Sequence, residues 1–167
     1  MRLFAGVFPS TEALEKIVAV QQEMISKTTC KASWTKPEKM HLTLRFYGSC
    51  EDVEKPLTQI EGSLSDIGRF SFHLQKAGGF PSARRARVAF LDPVESEKLF
   101  LIANRLKAEG ERDPHPHLTL ARFREPSALP DVSFDPITFD VDRIALVSSV
   151  LGKGGATYQI VREWELP

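Results

Sequence analysis

Hydrophobic positions along the chain follow two rhythms, and their order predicts most of its elements. Residues 2–8 (RLFAGVF) are a short apolar run that predicts a buried strand; Pro9 stops it, and Ser10 offers an N-cap to a helix. In that helix Leu14, Ile17, Val18, Met24 and Ile25 recur at helical spacing, fading near Lys27. His41 to Tyr47 is extended and ends at Gly48, and a second helix from about Asp52 carries Val53, Leu57, Ile60, Leu64 and Ile67 on one face. Phe70, Phe72 and Leu74 alternate with polar neighbours, the two-residue period of a half-buried strand, until Gly78 to Pro81 break it. Residues 85–91 (RARVAFL) predict another strand, and Glu95 to Glu109 a third helix stopped by Gly110. His117 to Phe123 is extended, and Glu125 to Pro136, with three prolines, is a surface loop. Two long strands, about Thr138 to Leu151 and Thr157 to Leu166, close the chain around a Gly-Lys-Gly-Gly turn.

The two halves repeat one unit: strand, helix, then an extended segment that opens His-Leu-Thr-Leu, first at His41–Leu44 and again at His117–Leu120. That order reads as an internal duplication. It predicts two lobes of mixed α and β structure, related by an approximate two-fold, with the matching strands on opposite walls of one cleft. A length of 167 residues suits a single domain over residues 1–167, its two lobes interleaved.

Charge narrows the function. Twenty-two basic residues balance 22 acidic ones, so the chain has no overall field with which to collect polyanions, and general coating of nucleic acid is excluded. Any phosphate contact must be local, made by a few donors in a cleft. Cys30 and Cys50 offer neither a disulfide framework nor metal-ligand spacing, which fits a reducing cytoplasm. Leu3 to Phe8 is too short for the core of a signal peptide, and no run approaches the roughly 18 apolar residues of a membrane span. A cytoplasmic monomer without membrane contact is expected.

The repeated tetrapeptide carries the chemistry. Only four histidines occur; with nine threonines in the chain, two of the four having threonine at the second position beyond them is a coincidence of roughly 2%. Residues two apart on a strand share a face, so His41 and Thr43 point one way while Leu42 and Leu44 enter the core, and His117 and Thr119 behave alike. Two imidazoles and two hydroxyls would meet across a groove, each pair about 6.6 Å apart along its strand, a set that suits a tetrahedral anion. With an ordinary pKa near 6.5, one imidazole can take a proton while the other supplies one. Threonine hydroxyls donate to phosphoryl oxygens without adding charge. This chemistry needs no metal or cofactor. The rival reading of each His-x-Thr is a strand with a polar outer face, which suffices for one copy alone and is outweighed by two in matched context. His73 is a solvent-facing strand residue. Pro114-His115-Pro116-His117 offers two histidines but no third ligand of clear spacing, which makes a poor zinc site.

The sequence resembles the two-histidine (2H) phosphoesterases, within them the RNA 2',3'-cyclic phosphodiesterases, long called 2'-5' RNA ligases. The resemblance spans nearly the whole chain: RLFA at residues 2–5, LTLRFYG at 42–48, RVAF at 87–90, PHLTLAR at 116–122 and the closing strand from Gly155 to Leu166 with Tyr158 and Trp164. It implies an α+β fold, bilobal, with two pseudo-symmetric antiparallel-sheet lobes, helices outside and a central active cleft. It also implies hydrolysis of an RNA-terminal 2',3'-cyclic phosphate to a 2'-phosphate, with His117 as general base on water and His41 as general acid to the departing O3'. Thr43 and Thr119 would bind phosphate oxygens, Arg122 would neutralise phosphate charge, and Phe46 would lie beside the terminal base. Strict alternation from His41 puts residue 45, not 46, on the histidine face unless the strand bends. Arg122 has a bland rival as a solvated strand-end arginine, and Arg84, Arg85 and Arg87 read as a solvated strand edge. The segment Glu111 to Pro116 is short where relatives carry a longer loop bordering the cleft, which leaves substrate size open.

Rival functions are a cyclic phosphodiesterase of a small nucleotide of the ADP-ribose type, and a non-catalytic module that binds RNA ends. The histidine pair argues against the module, since pure binding is served by lysine or arginine. Ligation of 2'-5' ends would be the reverse of the hydrolysis.

Overall fold

The computed structural model describes residues 1–167 and places every predicted strand in one antiparallel sheet. In chain order the elements are β1 (Arg2–Val7), α1 (Thr11–Lys27), β2 (Ala32–Trp34), a 3-10 turn (Pro37–Lys39), β3 (Leu42–Ser49), α2 (Glu54–Ser63), β4 (Phe70–Phe80), β5 (Ala86–Val94), α3 (Glu97–Leu106), β6 (Leu118–Ser127), β7 (Ile137–Val141), β8 (Arg143–Gly152) and β9 (Gly155–Glu165). The Ser10 hydroxyl caps α1 by accepting the Ala13 N–H at 3.2 Å, and Ala13, Ile17, Val20 and Met24 form its buried stripe.

The sheet runs β7-β4-β5-β6-β3-β1-β8-β9, with β2 added beside β6. Its middle is weakly joined: β3 and β6 share a single pair, Leu42 with Leu118. The sheet therefore splays there into the expected two lobes, β3-β1-β8-β9 and β7-β4-β5-β6 with β2. The chain visits them alternately, so the lobes are interleaved. The helices cross over as well. α1 leaves the first lobe and packs against β7 of the second, while α3 leaves the second and packs against β3 of the first. One core of 32 buried residues runs through both, with Phe72 and Phe139 stacked at 4.8 Å.

Several expected boundaries move, each for a local reason. The third helix spans Glu97–Leu106 rather than Glu95–Glu109, because Glu95 sits at φ 55, outside helical space. Gly78 and Gly79 do not end their strand. A Cβ on Gly78 would lie 2.6 Å from the Phe90 ring, and one on Gly79 2.6 Å from the Ala86 Cβ, so glycine is what lets β4 pair closely with β5 as far as Phe80. The strand expected over Thr138 to Leu151 is two: β7 pairs with β4 and, past Asp142, β8 pairs with β1 in the other lobe. β6 continues to Ser127, into the stretch expected as loop. β2 and the 3-10 turn lie in a region for which the pattern predicts nothing.

Candidate active site

Both histidines sit one residue before their strands rather than on them, flanking the Leu42–Leu118 pair that joins the lobes. The two are held alike. His41 donates Nδ1–H to the Lys39 carbonyl at 2.6 Å, and His117 donates Nδ1–H to the His115 carbonyl at 2.7 Å. This fixes the tautomer of each neutral ring and leaves Nε2 as its working nitrogen. His41 Nε2 lies 3.0 Å from the Thr43 hydroxyl, which donates to it when the ring is neutral. Aromatic walls hold both rings: Phe4 stacks on His41 at 4.6 Å with Tyr158 edge-on at 5.6 Å, and Phe80 and Phe90 stand 5.0 and 5.1 Å from His117. Gly6 belongs to the same wall, since a Cβ there would come 2.9 Å from the Leu42 carbonyl.

Burial pushes both imidazoles below their ordinary pKa, and each feels a neighbouring charge. His117, when protonated, lowers His41 further; Arg122 and His115 lower His117 while Asp92 raises it. His115 Nε2 lies 2.7 Å from the Asp92 carboxylate, so this histidine is turned away to an acid. No three His, Cys, Asp or Glu side chains converge as a metal-binding group would require.

The placement of Phe46 and Arg122 depends on a feature absent from strict alternation. Opposite β1, Gly6 pairs with Thr43 and Ala5 with Arg45, which leaves Leu44 as an extra residue; opposite β5, Phe90 pairs with Thr119 and Ala89 with Ala121, which leaves Leu120 extra. Each copy of the motif thus has a β-bulge at its fourth residue. The bulge reverses the parity that follows it. Phe46, not Arg45, comes to the histidine face, and Arg122 reaches it at the equivalent position, five residues beyond each histidine. Arg45 turns inward and pairs with Glu111, tying the short segment before His117 to the first lobe.

All six predicted residues, His41, Thr43, Phe46, His117, Thr119 and Arg122, line one cleft of about 570 Å³. Phe46 is 52% exposed at its rim, with the Arg2 guanidinium 5.3 Å above the ring. Arg84, Arg85 and Arg87 do not line it. The cleft adds residues for which the pattern assigned no role: Arg2, Lys39, Ser149 and Tyr158. Gln21 is a further one, acting from behind. Its side-chain amide is buried in α1 and donates to the Thr35 carbonyl at 2.8 Å and to the Leu120 carbonyl at 3.0 Å, the bulged residue itself. A glutamine between Val20 and Met24 on an apolar helix stripe was the signal available for it.

The sequence pattern of the 2'-5' RNA ligase superfamily matches residues 8–153. The chain belongs to that superfamily. A superfamily relative named RNA 2',3'-cyclic phosphodiesterase, from Thermus thermophilus, is 30% identical over 99% of this chain and 90% of its own. Another of the same name from Thermotoga maritima is 28% identical over 98% of this chain and 94% of its own. Among solved structures, a Thermus thermophilus protein superposes with a TM-score of 0.83 at 27% identity, covering 99% of this chain and 98% of the other. Escherichia coli LigT complexed with phosphate shares the fold, with a TM-score of 0.72 at 24% identity over 99% of this chain and 96% of the other. The protein is accordingly an α+β member of an enzymatic superfamily.

Proposed function

We propose that the protein hydrolyses RNA-terminal 2',3'-cyclic phosphate to a 2'-phosphate by acid/base catalysis between its two histidines. The observation that carries this reading is the matched tethering of His41 and His117 by Nδ1, with both free nitrogens given to one cleft that also holds two threonine hydroxyls and Arg122. The relatives' shared name supplies the substrate class.

His117 Nε2 takes a proton from water as its oxygen attacks phosphorus; the P–O3' bond breaks, and His41, protonated at Nε2, gives its proton to O3'. The products are a free 3'-hydroxyl and a 2'-phosphate, and the proton taken at one ring is matched by the proton given at the other. Thr43 and Thr119 donate to the non-bridging oxygens, Arg122 neutralises the charge growing on them, and Phe46 stacks on the terminal base. A 5'-hydroxyl in the place of water would leave a 2'-5' phosphodiester by the same movements, so ligation shares the site as a parallel attack on the cyclic phosphate and is not, as expected from the sequence, the reverse of the hydrolysis.

Product analysis on an RNA ending in a cyclic phosphate tests the reading: the monoester should sit on the 2' oxygen. His41→Ala and His117→Ala should each lose about 10²–10⁴ in kcat with the fold retained. Full turnover in either variant would remove that histidine from the mechanism.

A further inference from the structure

Tyr158 borders the cleft and a groove on each side of it, and the two grooves differ in charge. On one side the groove is edged by Glu38, Asp140, Asp142 and Glu163, and its one cation, Arg143, is occupied by Asp142 and Glu163. On the other side the surface continues along the outer edge of the second lobe, past Lys39 and Lys36 to Arg122, Lys31 and Arg124, with no carboxylate among its lining residues. Register makes a row of these charges. Ser33 pairs with Arg122, and the Lys31 carbonyl accepts the Arg124 N–H at 3.0 Å, so Lys31, Ser33, Arg122 and Arg124 share one face of the β2–β6 ribbon while Phe123 is buried behind it.

These cations are unspent. None of the molecule's ion pairs engages Lys31, Lys36, Lys39, Arg122 or Arg124. In a chain of zero net charge, an uncompensated row on one flank and an acidic rim on the other set a direction for a polyanion. A single nucleotide would be held within the cleft. Arg124 lies two strand residues, about 6.6 Å, beyond Arg122, and Lys31 lies opposite it, so neither lines the cleft that holds the phosphate site.

We infer that the β2 edge is an exit track for single-stranded RNA, its phosphodiesters upstream of the terminal nucleotide passing Lys36, Lys31 and Arg124 and avoiding the acidic groove. The inference rests on the hydrolase reading for the end of the strand and adds that the enzyme reads a polymer. The decisive variant is Lys31→Ala/Lys36→Ala/Arg124→Ala, compared with wild type on a mononucleotide 2',3'-cyclic phosphate and on a single-stranded RNA of about ten nucleotides ending in the same group. Mononucleotide turnover, which also reports the fold, should stay unchanged, while kcat/KM on the oligomer falls about tenfold. In parallel, fluorescence anisotropy with the oligomer ending in 2'-phosphate should show the slope of log affinity against log salt reduced by about two, the release expected for three single-strand contacts. Loss of both activities together, or oligomer turnover and binding indifferent to the three substitutions, would overturn the track and leave the row to another acidic partner. If wild type turns over neither substrate the hydrolase reading falls, and the salt titration alone decides the track.

Discussion

His41 and His117 occupy the same local trap, a ring wedged between aromatics and tethered by Nδ1 to the carbonyl two residues before it. Desolvation lowers both, so in the free protein the charged forms are disfavoured at neutral pH, and an arriving phosphate anion raises them again. The profile of kcat/KM, which reports the free enzyme, should therefore be a bell centred below pH 6.5, with the alkaline limb of kcat displaced upward relative to it. An optimum of kcat/KM above pH 8 would show that these imidazoles are not the titrating pair. The same shifts act on stability in the opposite sense to a salt-bridged histidine. Because the folded pKa values lie below 6.5, the unfolded chain binds more protons in that window, and stability is lost as pH falls through it. That His41 and Thr43 would share one groove with His117 and Thr119 was legible from spacing alone. Lys39 and Arg2 were not, because an isolated basic residue carries no local mark of the cleft it faces.

At the scale of the element, the paired bulges explain both the success and the failure of the period-two reading. It placed Leu42, Leu44, Leu118 and Leu120 in the core, where they are. It put residue 45 on the histidine face because alternation has no means of showing an extra residue; the bulge is defined by what lies opposite, on β1 and β5, not by the tetrapeptide. β2 was invisible for a related reason, since three residues are too few for a rhythm. Gln21 connects these points. By accepting two donors, from Thr35 N–H and from the Gln21 amide, the Leu120 carbonyl keeps the bulge of β6 satisfied although it is out of the ladder. Gln21→Leu should cost about 1–3 kcal/mol by leaving the Thr35 carbonyl and part of the Leu120 carbonyl's capacity unmet, which denaturant titration would measure. Because Thr119 and Arg122 flank that bulge, KM for a cyclic phosphate should rise in Gln21→Leu as well; an unchanged KM would confine the residue to stability.

For the molecule as a whole, the interleaving decides how it comes apart. Each crossover helix packs on the lobe it did not leave, and one core spans both, so neither lobe is expected to melt alone. Trp34 reports on the second lobe and Trp164 on the first. In Trp34→Phe and Trp164→Phe, the remaining tryptophan should follow the same urea transition that circular dichroism follows; two separated midpoints would mean independent lobes. The division into lobes was readable from the repeated motif, but membership was not. β7 and β8 look like one strand in sequence, and only their choice of partner separates them. That choice has a further outcome during synthesis, when the chain appears from its N-terminus. The strands β4 to β7 can associate as soon as residue 141 has emerged, whereas β1, made well before them, has no β8 to complete its ladder until residues 145–149 follow. β1 must wait, one edge open, for β8, and the pocket around His41, which Phe4 of β1 and Tyr158 of β9 build from strands made far apart in time, is finished only once β9 has followed.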